Sequence, residues 1–406
     1  MRTRTPGSLL VLFGLVLGLL AMGYGALFSM LDDIRDEYGI GETALGGVIA
    51  IGFFAGFLAQ VLLAPIADRG HARHLVLGGV VLDIVGLLMM AAARDFVPLL
   101  VGRFVMGIGV GMAVPAIRRI VIVAQPERIG HNLGRLLALD VGGFAAGPAV
   151  AAVLVGPFGI PGPFLFIAAA TAVALPIVAL RARVDETVEP PTQRFAFDLL
   201  RLRPFAGAVA LGCAVWMMIG TFDALWTVAL DDLETSEFVA NLGITLFALP
   251  LVLFGSVGGR LAQRVGPFRV GTVGLLLGAT FMLLYGLVPT GMAMFTVAMV
   301  HSVCDGFSVS STGVAVGLVV PGARQAGAQG VLGGLQTLVA GITALLAGAI
   351  YEHAGRTTAY AVSASMMVVL VAAGVLLAGP AWRLRGAPDT GDTGQVSTSP
   401  IAPIAG

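Results

Sequence analysis

Four acidic residues, Asp83, Asp140, Asp223 and Asp305, stand inside long apolar stretches of this 406-residue sequence. An ionised side chain at the centre of a hydrocarbon layer costs about 2.5–3.5 kcal/mol on insertion scales, so each is a candidate for function. The best local pattern is His301, Asp305, Ser308 and Thr312, whose spacing of four, three and four stacks them on one helical face. A His–Asp pair one turn apart can share or pass a proton near neutral pH. The same stripe would also serve as hydrogen-bonded helix packing; proton coupling is the working expectation. Trp216, Asp223 and Thr227 share another face, with Trp226 close to it. A carboxylate beside aromatic rings suits a cationic amphiphile or a transferable proton. Asp140 aligns with Gly143 and Gly147 and is expected to meet Arg135 one turn away, while Asp83 is expected to pair with a neighbouring helix. Arg103 lies about 5 residues into an apolar run, where it must snorkel, pair or face a wet cavity. Asp32 and Asp33 are its candidate partners.

The elements that hold these residues follow from composition. The chain is 57% hydrophobic and 11% charged, far from the roughly 25% charged residues of a soluble domain. Runs of about 20 apolar residues lie near 8–31, 43–66, 75–93, 97–117, 136–155 and 162–180, and then near 205–230, 238–259, 270–289, 292–320, 325–350 and 358–381. These predict twelve transmembrane helices in an all-α integral membrane protein. The first run exceeds the apolar core of a signal peptide and reads as a span. The interval 182–204 is expected to be a cytoplasmic central loop between two six-helix bundles, 1–181 and 205–382, with 383–406 a disordered cytoplasmic tail. All 23 basic residues are arginine, which suggests a GC-rich bacterial genome; nineteen of them, including Arg118, Arg119, Arg128 and Arg135 around the fourth loop, fall on one side of these spans. That asymmetry predicts a multi-pass protein of a bacterial cytoplasmic membrane with both termini cytoplasmic.

The same inventory excludes other classes. The formal net charge is zero, which offers nucleic acid no attraction. Cys213 and Cys304 both lie in apolar runs and read as packing residues. No nucleophile–base cluster, phosphate loop or metal-ligand run occurs, so no enzyme, cofactor or metal centre is expected.

An internal repeat links the halves: Ile66-Ala67-Asp68-Arg69 follows the second span and Leu261-Ala262-Gln263-Arg264 the eighth. Three local patterns then resemble the major facilitator superfamily. After the second span Asp68, Arg69 and Arg73 match its loop signature, with Ala64, His71 and Ala72 departing from it; the second copy keeps Gly258, Gly259, Arg264, Gly266 and Arg269. The resemblance implies a loop that locks the cytoplasmic side, Asp68 facing a helix N-terminus and the arginines binding carboxylates of the opposite half. In the fourth span Arg103, Gly107, Gly109, Gly111 and Pro115 resemble a second signature, whose arginine is associated with proton transfer. In the fifth, Gly134, Gly143, Gly147 and Pro148 match the antiporter motif, with Ala151 and Ala152 in place of its last glycines. The resemblance places spans one, four, seven and ten around the cavity, favouring Asp223 and Asp305 over Asp83. It implies a monomeric transporter in the lipid bilayer that exports a small amphiphilic molecule against protons by alternating access. Proton-coupled import of a small metabolite and a non-transporting receptor or scaffold are the alternatives.

Overall fold

The computed structural model describes residues 6–181 and 191–386. The expectations placed on Arg2, Arg4, Arg183, Asp185, Glu186, Glu189, Pro190 and the tail from 387 lie outside the described residues. Helices account for nearly all of what is described: α1 (Pro6–Ser29), α2 (Leu31–Tyr38), α3 (Glu42–Ile66), α4 (Ala72–Ala92), α5 (Phe96–Ala124), α6 (Ile129–Phe158) and α7 (Pro161–Arg181). After the central loop come α8 (Arg203–Asp232), α9 (Glu237–Val265), α10 (Pro267–Leu287), α11 (Gly291–Ser308), α12 (Ser311–Val319) and α13 (Gln325–Ala378). Their outward faces carry large apolar side chains such as Val153, Val173, Leu345 and Leu376, as lipid-facing helices require.

Ten apolar segments among the described residues are long enough to cross a bilayer. Two are too long for one crossing, at 49 and 62 residues. Gly70, with φ 91°, interrupts the first, and Gly355, with φ 79°, interrupts the second. Both adopt a left-handed conformation open to glycine at little cost, and each turns the chain back through the membrane. Among the described residues this gives about twelve crossings. Spans one to nine are α1 and α3 to α10, the tenth is α11 continued by α12, and the last two are the limbs of α13.

Three boundaries differ from expectation. The first span stops at Ser29, and Asp32 and Asp33 belong to the separate short helix α2, ended by Gly39 at φ 66°. The fourth runs to Ala124, which carries Arg118 and Arg119 into the helix and out of the loop. The tenth is divided into two helices between Ser308 and Ser311, although Val309 and Ser310 keep right-handed helical dihedrals, and Thr312 is buried like His301 and Asp305.

The bundles meet along two seams, α6 against α9 and α3 against α13. At the arginine-rich end the backbones touch: a Cβ on Gly134 would lie 2.1 Å from the Gly255 carbonyl, and one on Gly259 would overlap Gly130. Towards the other end the seams part. Gly327, Gly334, Gly341 and Gly348 recur every seven residues on one face of α13; the first two meet Ala196 and Val61, whereas the last two face open space. The fold is a wedge, closed at the arginine-rich end and open at the other.

Candidate functional site

The closed end is built by the repeat. Asp68, in the turn between α3 and α4, is 3% exposed and takes Arg119 Nε at 3.0 Å. It also accepts the amides of Ala326 and Gly327, at 2.9 and 2.7 Å, from the first turn of α13 in the opposite bundle. A carboxylate there meets both unpaired N–H groups and the positive end of the helix dipole. Gln263, at the corresponding place after α9, does the same for α6: its Oε1 accepts from Gly130 N at 2.7 Å and its Nε2 donates to Glu127 O at 2.6 Å. The arginines behave differently from expectation. Arg73 donates to Ala179 O of its own bundle, and Arg264 is exposed. Arg69, next to Asp68, lies on the non-helical side of the turn. The partner of Asp68 is Arg119, a residue whose sequence context reads as an orientation charge.

Within the wedge, Arg103 does not snorkel. It is 4% exposed, with its guanidinium carbon 4.4 Å from the ring centroid of Tyr24 and pressed against Gly52. Cation–π attraction of this kind strengthens as water is removed. Tyr24 lies edge-on to Phe28 at 4.7 Å and Phe53 at 5.4 Å, and tilted to Phe144 at 5.5 Å. Asp223, exposed on α8 of the other bundle, bears electrostatically on the same phenol. A cation of one bundle and an anion of the other thus both act on this one tyrosine. Asp32 takes Arg35 at 2.9 Å on the surface and is not the partner of Arg103. Asp140 has Arg118 of α5 as its charged neighbour, not Arg135, which lines a small recess with His131 and Ser256. The sequence counted Arg118 among loop charges; helix α5 turns it inward.

A second polar group is sealed inside the C-terminal bundle. His301 is 0% exposed, its Nε2 3.5 Å from Asp305 Oδ2 and its Nδ1 2.8 Å from Tyr285 Oη. Its ring stacks on Phe281 at 4.9 Å. The i,i+4 spacing thus does bring His301 and Asp305 together, and Tyr285, which no spacing pointed to, completes the group. Ser308 instead returns its hydroxyl to Cys304 O. Trp216 is half-buried, while Trp226 is core and stacks on Phe222 at 4.8 Å. Asp223 and Asp305 are not joined: one faces the wedge, the other the bundle interior. In α6, Gly134 packs on α9, whereas Gly143 and Gly147 press on Gly18 and Ala26 of α1, with Pro148 inside the helix. Among the described residues no group of three His, Cys, Asp or Glu side chains could hold a metal ion.

The family model described as Major Facilitator Superfamily matches residues 13–231 and 208–403. Over 137 residues the chain is 26% identical to the quinolone resistance protein NorA of Staphylococcus aureus, covering 32% of this chain and 34% of that protein. Over 136 residues it is 28% identical to the bacillibactin exporter of Bacillus subtilis, covering 32% and 33% respectively. The chain thus aligns with about a third of the length of these relatives. Among solved structures, the E. coli fucose:proton symporter FucP superposes with a TM-score of 0.74 at 14% identity, over 92% of this chain and 99% of that one. The human organic anion transporter MFSD10 gives 0.73 at 16% identity, over 92% and 100%. At such identity these two structures speak for the fold alone.

Proposed function

The chain belongs to the Major Facilitator Superfamily, and from that premise we propose that this multi-pass membrane transporter exports a small amphiphilic molecule in exchange for protons. The observation that carries the reading is the wedge, whose two bundles are locked at the arginine-rich end by Asp68 and Gln263 and separate beyond it, with Tyr24, Arg103 and Asp223 facing the opening. With the arginine-rich end taken as cytoplasmic, the protein sits in a bacterial cytoplasmic membrane with both termini on the cytoplasmic side, and this is the outward-facing conformation. Alternating access then needs only that the two seams exchange roles: the glycine contacts open and the parted ends close.

Export is favoured over import by the Gly134, Gly143, Gly147, Pro148 pattern and by the similarity to a quinolone resistance protein and a bacillibactin exporter. Asp305, held by His301, and Asp223, facing the wedge, are the proton or substrate groups in this reading, and the protein acts as a monomer. Purified protein in liposomes with an imposed pH gradient tests it against a panel of amphiphilic cations, zwitterions and anions. Export should collapse when the gradient is dissipated and should fall at least tenfold in Asp223→Asn and Asp305→Asn. Uptake along the gradient would make the protein a symporter, and binding without flux a receptor.

A further inference from the structure

Two polar features of the described residues lie outside the proposed cycle. Asp83 in α4 is 0% exposed and, against expectation, neither of its carboxyl oxygens finds a hydrogen-bond partner on a neighbouring helix. The other is the recess at the α6–α9 seam, about 410 Å³ in volume and lined by His131, Arg135, Ala138, Leu139, Val252 and Ser256. Sites for small ligands span about 300–1,000 Å³, so this recess can hold one. Both bundles build it. Gly130 and Gly134 of α6 press on Gly259 and Gly255 of α9, and that close approach sets His131 beside Ser256 and Arg260. His131 Nδ1 lies 3.0 Å from Ser256 Oγ and 3.0 Å from a terminal guanidinium nitrogen of Arg260. A guanidinium only donates, so Nδ1 accepts and the neutral ring carries its proton on Nε2. Ile129 and Leu133 of α6 meet Gly317 and Gly313 of α12 in the interior. At about 100° per residue, His131, Arg135 and Ala138 stand on the opposite face of α6. On α9, Leu253 and Val257 beside the recess are exposed. The recess therefore opens to lipid. Arg135 immediately precedes the apolar run that starts near 136, so it stands at headgroup level, with Leu139 one turn deeper.

Holding the seam together does not account for these charges. His131, Ser256 and Arg260 are linked, but Arg135 makes no hydrogen bond to any described residue, and neither arginine has an ion-pair partner among them. The acids of this end are committed or turned away. Asp68 is held by Arg119 and Asp198 by Arg324, Asp140 has Arg118 as its charged neighbour, and Glu127 is exposed in the turn before α6. Guanidiniums gathered at the border of hydrocarbon repel one another, and an anion removes that cost. We propose that the recess binds the head group of an anionic phospholipid. Arg135 and Arg260 take the phosphodiester oxygens, Ser256 is a further donor, and Ala138, Leu139 and Val252 lie along the first part of an acyl chain. The arginine fork matches two phosphate oxygens, and basic pockets between transmembrane helices on the cytoplasmic side suit such head groups. The apolar floor and the lipid-facing mouth select a phospholipid over free phosphate. Because Arg135 and Arg260 belong to different bundles, the lipid binds the state in which this seam is closed and shifts the population towards it. That consequence rests on the alternating-access reading; the binding itself does not.

Native mass spectrometry of the full-length protein, offered equal amounts of phosphatidylglycerol and phosphatidylcholine with the same acyl chains, counts the lipids retained. The parent should prefer phosphatidylglycerol by about tenfold or more, and Arg135→Gln with Arg260→Gln should bring the two lipids within about twofold of each other. Arg201→Gln with Arg203→Gln removes the same charge from exposed positions at the same end and should leave the preference intact. Arg135→Gln alone breaks no contact across the seam, and it should lower the preference by about threefold or more even where the double variant does not fold. Inorganic phosphate should not displace the lipid. In nanodiscs, exchanging phosphatidylcholine for phosphatidylglycerol should shift the parent, and not the double variant, towards the short distance between spin labels at His74 and Arg264, exposed on opposite bundles. Equal retention of the two lipids by the parent, an unchanged preference in Arg135→Gln, an equal loss in the Arg201 and Arg203 control, or displacement by phosphate would overturn the proposal. An unmoved distance in the parent would overturn the coupling to seam closure. Preference without flux counts against the transport reading alone, and flux without preference against lipid binding alone.

Discussion

Replacing Asp68 by Asn should release the closed end of the wedge. The carboxylate accepts three hydrogen bonds, at 3.0 Å from Arg119 Nε and at 2.9 and 2.7 Å from the amides of Ala326 and Gly327. The arginine contact lies inside one bundle and survives whichever side is open. Only the amide contacts join the bundles. A hydrogen bond to a charged group contributes about 1.5–3 kcal/mol, so the part that depends on closure is about 3 kcal/mol at the low end. With about 1.4 kcal/mol for each factor of ten, the closed-to-open ratio should fall on the order of 100-fold. Gln263 makes two corresponding contacts with neutral groups, at about 1 kcal/mol each, and Gln263→Ala should therefore shift the ratio by about 30-fold.

The assay is a pulsed spin-label distance measurement between cysteines placed at His74 and Arg264, both exposed and on opposite bundles, with Cys213 and Cys304 changed to Ala. The parent should give one short-distance population and Asp68→Asn a dominant longer one. Asp68→Leu combined with Arg119→Leu should open in the same way while sparing the bundle an orphaned guanidinium. An unchanged distribution in Asp68→Asn, or a larger shift in Gln263→Ala, would refute the reasoning that charge at the helix terminus is what closes this end.

Three further outcomes are expected. Gly134→Val places a side chain where the Gly255 carbonyl already lies 2.1 Å from an ideal Cβ, so the α6–α9 seam cannot close; liposome transport should fall at least tenfold while helix content by circular dichroism is kept. Arg324 donates to Asp198 at 2.6 Å, and that hydrogen bond holds the Asp198 carboxyl below its ordinary value of 3.8. A depressed carboxyl stabilises the folded state above its unfolded pKa and loses that contribution only as pH falls through the folded one, so hydrogen exchange of the Phe197–Arg201 turn should be flat near neutrality and rise only below about pH 4. The pair is partly exposed, and Arg324→Gln should weaken the turn by no more than about 1 kcal/mol. Tyr285→Phe removes the 2.8 Å contact to His301 and should cost about 0.5–1.5 kcal/mol of thermal stability, with a smaller loss of transport than Asp305→Asn.

Several of these residues were legible in the sequence and others were not. The repeat aligned Asp68 with Gln263, and both cap a helix of the opposite bundle, because related loops meet related helices. The spacing of His301 and Asp305 put them together, because a turn of helix fixes that distance. Arg118 and Arg119 were misread, because hydropathy ends a span at the first charges and cannot see a helix continuing into a protein interior. Asp140 found Arg118 in place of the nearer Arg135 for the same reason.

Length and apolarity alone determined twelve crossings, their rough limits and the uneven distribution of arginine, since the thickness of a bilayer and the cost of moving charge through it act on each segment separately. Which charges meet, and which are left without a partner, depended on how helices distant in sequence approach one another. Only the tertiary structure could decide that the Asp83 carboxyl is buried without a hydrogen-bond partner, that Arg103 lies over the Tyr24 ring, and that the wedge is closed at its arginine-rich end.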